Sequence, residues 1–339
     1  MTRTTNARQA TVRAFAKINL GLRVLYKRPD GYHELRTVFQ TISLADRLEI
    51  VWNPGKTNEI EMLGTPEIPD NLAARAARLI MDAIADGAAG KALAERRGTI
   101  RLRLQKNIPS GAGLGGGSSD AAAVLLSLPV LVGARLPLEK LTELAATLGS
   151  DVPFFLYGGT ALGLGRGEEL YPLPEFPATQ ALLIASPIHS STADAYRDVS
   201  ATLNAGALTN DLLQNKLSSF QSGAWGRGLE RNKSSIINDF ESVVLARHPQ
   251  LSGIRERLAR CGATRVSMTG SGSAIFGIFD NPGKLERARL AWEQRTVDGE
   301  RAFAVTFVGR SRYEGAFRRA LKEHTKGNDI WPLQSRHAR

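Results

Sequence analysis

Residues 11–24, TVRAFAKINLGLRV, alternate apolar and polar positions, the period of a strand with one face buried. ELRTVFQTISL and DRLEIVW repeat that alternation and predict a pair of strands across 34–52, after a loop, YKRPDGYH, whose Pro29 and Asp30-Gly31 mark a tight turn. Residues 53–70 form a polar excursion. The period then changes: NLAARAARLIMDAIAD (71–86) predicts an amphipathic helix opened by Asp70. TIRLRLQ (99–105) predicts a strand, AAAVLLSL (121–128) the body of an apolar helix, and PLEKLTELAATLG (137–149) a helix with Pro137 in its first turn and Gly149 at its end.

Beyond 150 the pattern predicts a loop and strand (150–170), a buried strand ALLIASP (181–187), a short helix near 192–197 and an irregular polar stretch over 200–234. Helices near 235–247 and 249–261, strands at 264–270 and 273–279, a helix over 281–295 and a strand at 302–309 follow, and 311–339 read as a loose helical tail. Strands and helices mixed without regular βαβ alternation indicate an α+β fold. A chain of 339 residues has room for two domains, here divided as 1–165 and 166–310 with a basic tail at 311–339.

Between the strand at 99–105 and the helix at 121–128 lies PSGAGLGGGSSD (109–120), with five glycines in seven positions. Glycine permits positive φ and close approach of backbone to a ligand. A glycine loop feeding a helix N-terminus presents free N–H groups and the positive end of a dipole, a site for phosphate. The P-loop pattern fails, because Gly117 rather than lysine precedes Ser118. The dinucleotide pattern fits Gly111, Gly113 and Gly116 only formally, since five residues separate the preceding strand from Gly111.

Composition narrows the partners. The single cysteine, Cys261, excludes an intramolecular disulfide and a cysteine metal cluster. No run approaches the roughly 18 apolar residues of a membrane span, and the N-terminus lacks the apolar core of a secretory signal, so a cytoplasmic protein is expected. The net charge of +11 raises nucleic acid as a partner, but +7 of it lies in residues 1–13 and 311–339. Solvated basic ends are the simpler reading, and a basic body also suits polyanionic phosphate ligands.

The glycine loop resembles the ATP-binding signature of the galactokinase, homoserine kinase, mevalonate kinase and phosphomevalonate kinase superfamily. Together with AFAKINLGLRV and RPDGYHEL (14–35), LGSDVPFFL (148–156) and SMTGSGSAIF (267–276), it is similar to the branch that phosphorylates a cytidine-diphosphate sugar alcohol in the non-mevalonate isoprenoid route. The resemblance implies an N-terminal ATP-binding domain with a left-handed βαβ crossover, a ferredoxin-like C-terminal domain, and ATP with Mg²⁺ as cofactors. It implies phosphoryl transfer to the tertiary 2-hydroxyl of a small-molecule substrate, with no nucleic acid or membrane partner.

On residues alone, Asp151 reads as a turn aspartate or a base, and Lys17 as an edge-strand lysine or an acid's partner, with Asn19 on the same side. The resemblance makes Asp151 the catalytic carboxylate and Lys17 its partner, placed to stabilise a developing alkoxide. It assigns ATP to Asn71 and to Pro109, Ser110, Gly111, Ala112, Gly113, Leu114, Gly115, Gly116, Gly117, Ser118 and Ser119. It assigns substrate to Asn19, Tyr32, His33, Gly270 and Ser271, with Tyr196 as the second cytosine-stacking aromatic. Asp120 is expected to support the first helical turn rather than to ligate metal; no metal carboxylate stands out, and Ser118 or Ser119 would touch the ion. His189 is expected near the nucleotide as polar scaffolding.

Overall fold

One hairpin contributes to the cores of both layers of the fold. Its strands, β1 (Arg8–Lys27) and β2 (His33–Gly55), pair antiparallel from Arg8↔Trp52 to Lys27↔His33. The computed structural model describes residues 7–64, 69–205, 215–218, 220, 237–294, 299–325 and 330–336. The two strands expected within 34–52 are therefore one strand, β2, whose partner is β1. The hairpin turn is the expected one: Gly31 has φ +86°, and Asp30 accepts a hydrogen bond from the Tyr32 amide at 3.1 Å.

β2 also pairs with β4 (Arg97–Gln105) and β5 (Thr160–Leu164); β3 (Glu59–Leu63) lies parallel to β4, and β6 (Glu169–Pro172) pairs with β5. β3 was hidden in the polar excursion because its side chains are only partly buried. The parallel β3 and β4 are joined through α1 (Leu72–Ala85), whose small residues Ala73, Ala76 and Ala77 let it pack against α2 (Gly116–Val132). From Ser119 onward α2 is buried on every side, as a helix apolar all round must be. α3 (Leu138–Leu148) and α4 (Phe154–Tyr157) complete this layer.

The second sheet runs β10-β7-β9-β8, all antiparallel, from β7 (Gln180–Ala185), β8 (Arg265–Met268), β9 (Ile275–Phe279) and β10 (Arg301–Thr306). With α5 (Thr192–Ala205), α6 (Glu241–Arg247), α7 (Pro249–Arg260) and α8 (Pro282–Glu293) between them, the strands follow the β-α-β-β-α-β scheme of a ferredoxin-like domain. Alternation along β7 sorts its residues: Leu182 and Ile184 face the helices, while Ala181 and Leu183 join Ile18, Leu20, Leu114 and Phe276 between the two sheets. Much of 200–234 lies outside the described residues, although 200–205 continue α5.

Two expectations about boundaries change. β6 belongs to the first sheet, so the chain leaves that layer after Pro172 rather than at 165, and Leu22, Val24 and Leu35 of the hairpin pack in the second layer's core. The first part of the basic tail is not loose: α9 (Arg310–Thr325) buries Tyr313, Phe317 and Leu321 in the first layer's core. Those three apolar residues at i, i+4 and i+8 form one helical stripe that the surrounding arginines obscure. α9 packs along β1, where His324 Nε2 lies 3.0 Å from the Gln9 carbonyl. Such cover protects a strand edge.

Candidate active site

The pairing of β1 with β2 slips between Phe15 and Lys17 and again between Asn19 and Gly21. A β-bulge re-aims the side chains that follow it. Here Lys17 and Asn19 turn inward at 4% and 2% exposure, although strict alternation would leave one face of this strand to solvent. Lys17 Nζ donates to Asn19 Oδ1 at 2.8 Å and lies 3.2 Å from Asp151 Oδ2. Asn19 is held in turn, its Nδ2 donating to Thr37 Oγ1 at 2.8 Å and its backbone amide to Thr269 Oγ1 at 3.1 Å. Asp151 follows the end of α3, and the α4 turn beginning at Phe154 anchors the chain beyond it. The structure thus joins the two residues assigned to catalysis, 134 positions apart, and adds Asn19 beside them.

The glycine loop lies against this pair. The Lys17 amide donates to the Leu114 carbonyl at 3.0 Å. Gly111, Gly113 and Gly115 all have positive φ, at +70°, +78° and +68°. Gly113 also has no room for a side chain: a Cβ there would stand 2.3 Å from the Thr269 carbonyl oxygen. Gly272 presses on the loop from the same side, at Ala112 and Gly113, so the 270–272 turn of the second layer closes onto the glycine loop of the first. Gly270 sits beside Asn19, its carbonyl accepts from Asn238 Nδ2 at 2.8 Å, and Ser271 Oγ donates to Thr192 Oγ1 at 2.9 Å.

Beyond the loop, α2 begins at Gly116 with Gly115 as its left-handed cap, and the Ser119 amide is the first to bond back, to Gly115. The amides of Gly116, Gly117 and Ser118 occupy the first helical turn, where no intrahelical partner exists. They border a cavity of about 390 Å³, walled by the glycine loop, Pro109, Ser110 and Asn71. Asn71 also caps α1, its Oδ1 accepting from the Ala73 amide at 2.9 Å. Ala112, Leu114 and Ser119 are buried, so the first two offer the cavity backbone alone. The Ser119 hydroxyl has no partner among the described residues. His189 lies against Gly111.

A charged cluster under this cavity escaped the sequence reading. Lys106 Nζ donates to Asp46 and, at 2.8 Å, to Asp120 Oδ2, with both carboxylates buried. Asp46 also accepts from the amides of Asn107 and Ile108, fixing the chain as it enters the loop. Asp120 therefore pairs with Lys106 rather than supporting the first turn. Burial, with the nearby Asp46 charge, pushes its carboxyl up to about 7 despite the lysine. The signal was a lysine directly ahead of the glycine loop and an acid directly after its serines; their meeting is a tertiary fact.

The other end of the site is aromatic. Tyr32, 56% exposed, carries the Arg166 guanidinium 4.6 Å above its ring. His33 stacks on Tyr196, with centroids 4.9 Å apart, and Tyr196 meets the edge of Phe240 at 4.8 Å. The expected second aromatic thus lies against His33, while a cation covers a face of Tyr32. Burial and then Lys27 lower the His33 pKa, favouring the neutral ring. Burial, then the charge of Asp151, raises that of Tyr196. Among the described residues no group of three His, Cys, Asp or Glu side chains could hold a metal ion, and no helix is long and apolar enough to cross a membrane.

The family model described as the GHMP kinases N terminal domain matches residues 71–159, and that described as the GHMP kinases C terminal matches 217–298. A protein of Solibacter usitatus named 4-diphosphocytidyl-2-C-methyl-D-erythritol kinase is 52% identical over 331 residues, covering 97% of this chain and 98% of that protein. A crystal structure of 4-(cytidine 5'-diphospho)-2C-methyl-D-erythritol kinase superposes with a TM-score of 0.70 at 37% identity, over 88% of this chain and 99% of that one. Homoserine kinase from Cytophaga hutchinsonii, at 15% identity and a TM-score of 0.61 over 91% of this chain and 97% of that one, shares the fold. With its Lys17–Asp151 pair beside a glycine loop and an aromatic end built on DGYH, this chain belongs to the 4-diphosphocytidyl-2-C-methyl-D-erythritol kinase family of the GHMP kinases.

Proposed function

We propose that this kinase transfers the γ-phosphoryl group of ATP to the 2-hydroxyl of 4-diphosphocytidyl-2-C-methyl-D-erythritol, in the non-mevalonate route to isoprenoid precursors. The observation that carries the reading is the Lys17–Asp151 pair at 3.2 Å with the glycine loop against it, the His33–Tyr196 stack supplying an aromatic end for the base. Phosphate would lie on the free amides of Gly116, Gly117 and Ser118, with the nucleoside of ATP toward Asn71. Cytosine would lie at Tyr32 and His33.

Asp151, about one-third exposed, can reach an incoming hydroxyl and take its proton. The hydroxyl oxygen then bonds to the γ-phosphorus, the bond from that phosphorus to the β,γ-bridging oxygen breaks, and ADP leaves. The Lys17 ammonium, fixed by Asn19 as well as Asp151, faces the charge that develops on the attacking oxygen. The Ser118 hydroxyl, on the cavity wall, is the oxygen that would hold Mg²⁺ alongside the phosphates, with the buried, unpartnered Ser119 hydroxyl next to it in the chain. The ion would neutralise charge on the transferring group.

³¹P NMR of the full chain with ATP, Mg²⁺ and a panel of alcohols tests the assignment. A new phosphomonoester should form with the cytidine-diphosphate sugar alcohol, at least tenfold faster than with homoserine or mevalonate. Phosphorylation of either of those in preference would overturn it.

A further inference from the structure

His33 opens β2 with its ring nearly buried, and its surroundings fix more than its position. Its Nε2 lies 2.6 Å from Ser200 Oγ, on the third turn of α5. Ser200 Oγ donates to the carbonyl of Tyr196, one turn back, at 2.7 Å. The Tyr196 ring covers a face of the imidazole, with 25° between the ring planes, and is itself backed by Phe240. The imidazole is thus held by a stacking partner and by one hydroxyl. Its Nδ1 has no hydrogen-bond partner among the described residues.

A serine hydroxyl has one proton and two lone pairs. While that proton lies on the Tyr196 carbonyl, Ser200 can meet His33 only as an acceptor. His33 must then carry its proton on Nε2. A neutral imidazole with Nε2–H has a bare Nδ1, which can accept and cannot donate. Cytosine offers an exocyclic amine where uracil offers a carbonyl, so a fixed acceptor suits the first and repels the second. The opposite arrangement, with Ser200 donating to Nε2, would put the proton on Nδ1 and reverse the preference.

We propose that Ser200 is a positioning residue for base selection: it locks His33 in the Nε2–H tautomer and so presents Nδ1 as a cytosine-selective acceptor. The base selection rests on the cytidine reading above; the tautomer does not. When Ser200 is replaced by alanine, the imidazole is free to move its proton to Nδ1 and donate to a uracil carbonyl. Specificity should then relax chiefly through better use of the uridine substrate.

Two measurements test this. The first is ¹⁵N–¹H correlation NMR of the unliganded full chain, labelled at its five histidines, at a pH where His33 is neutral, with His33→Gln to assign the signal. Protonated-type nitrogen at Nε2 and acceptor-type nitrogen at Nδ1 are expected; the reverse pattern overturns the role of Ser200. The second compares kcat/KM for the cytidine substrate and its uridine counterpart. Wild type should prefer cytidine by roughly ten- to a hundredfold, the usual penalty for an unpaired buried polar group. Ser200→Ala should bring the ratio within about threefold, and Ser200→Thr, which keeps the hydroxyl, should restore it. An unchanged ratio in Ser200→Ala overturns the proposal. Indifference of wild type to the base, with Nε2–H in place, would instead overturn the cytidine reading and the base-selection half while leaving the tautomer standing.

Discussion

Asp151→Asn separates the chemical role of the Lys17–Asp151 pair from its structural one. The substitution keeps the shape and a hydrogen-bond acceptor for Lys17 but removes the charge and the capacity to take a proton. Two unit charges 3.2 Å apart attract by about 5 kcal/mol at an effective dielectric constant of 20. Asp151 is 32% exposed, so solvent screens part of this. The expected loss of stability is roughly 1–3 kcal/mol, between that of a surface pair and a buried one. Lys17 keeps Asn19 as a partner, so the fold should survive. The rate should suffer more: loss of a general base costs about 10²–10⁴-fold in kcat. ATP affinity should hardly change, because the amides of Gly116, Gly117 and Ser118 are untouched. The assay measures ADP release at saturating substrates, the ATP dissociation constant by calorimetry and a thermal melt on one preparation. A variant that melts a few degrees lower yet turns over like wild type would show the pair to be structural and refute the argument.

The glycine loop, the buried cluster and the C-terminal helix each give a further test. Gly113→Ala, with a Cβ 2.3 Å from the Thr269 carbonyl oxygen at φ +78°, should lower stability and ATP affinity, whereas Gly117→Ala, with 3.6 Å to Leu72, should fold like wild type; calorimetry with a non-hydrolysable ATP analogue and thermal melts compare them. Asp120 is raised from 3.8 to about 7, so the folded state holds a proton that the unfolded chain has released. Its contribution to stability therefore falls as pH rises through that window and levels off above it, and Asp120→Asn should flatten this part of the profile in denaturant titrations. Tyr313→Ala should cost about 3–5 kcal/mol, as a large buried ring does, since Tyr313 packs on Phe15 and its hydroxyl donates to the Phe155 carbonyl; an unchanged unfolding midpoint would show that α9 is dispensable to the first layer.

The sequence by itself determined what depends on near neighbours in the chain. The hairpin turn at Asp30-Gly31, the glycine loop leading into an apolar helix, and the helix ending at Gly149 just before Asp151 were all legible, because turn chemistry, positive φ and side-chain period are local properties. The resemblance named the residues of the site, and the structure brought Lys17, Asn19, Asp151, the glycine loop and the 270–272 turn into contact. Tertiary structure alone decided the rest. The long strand β2 read as two because its burial pattern changes where its neighbour passes from β4 to β5. Lys17 is buried because bulges break the alternation that a period-two reading assumes. Lys106 found Asp46 and Asp120 only through the meeting of β2, β4's end and α2. α9 read as a loose tail because its arginines outnumber the three apolar residues that anchor it. A periodic pattern tells which face of an element seeks burial, but the partner that buries it is supplied by other segments of the chain, whose contacts leave no trace in local spacing.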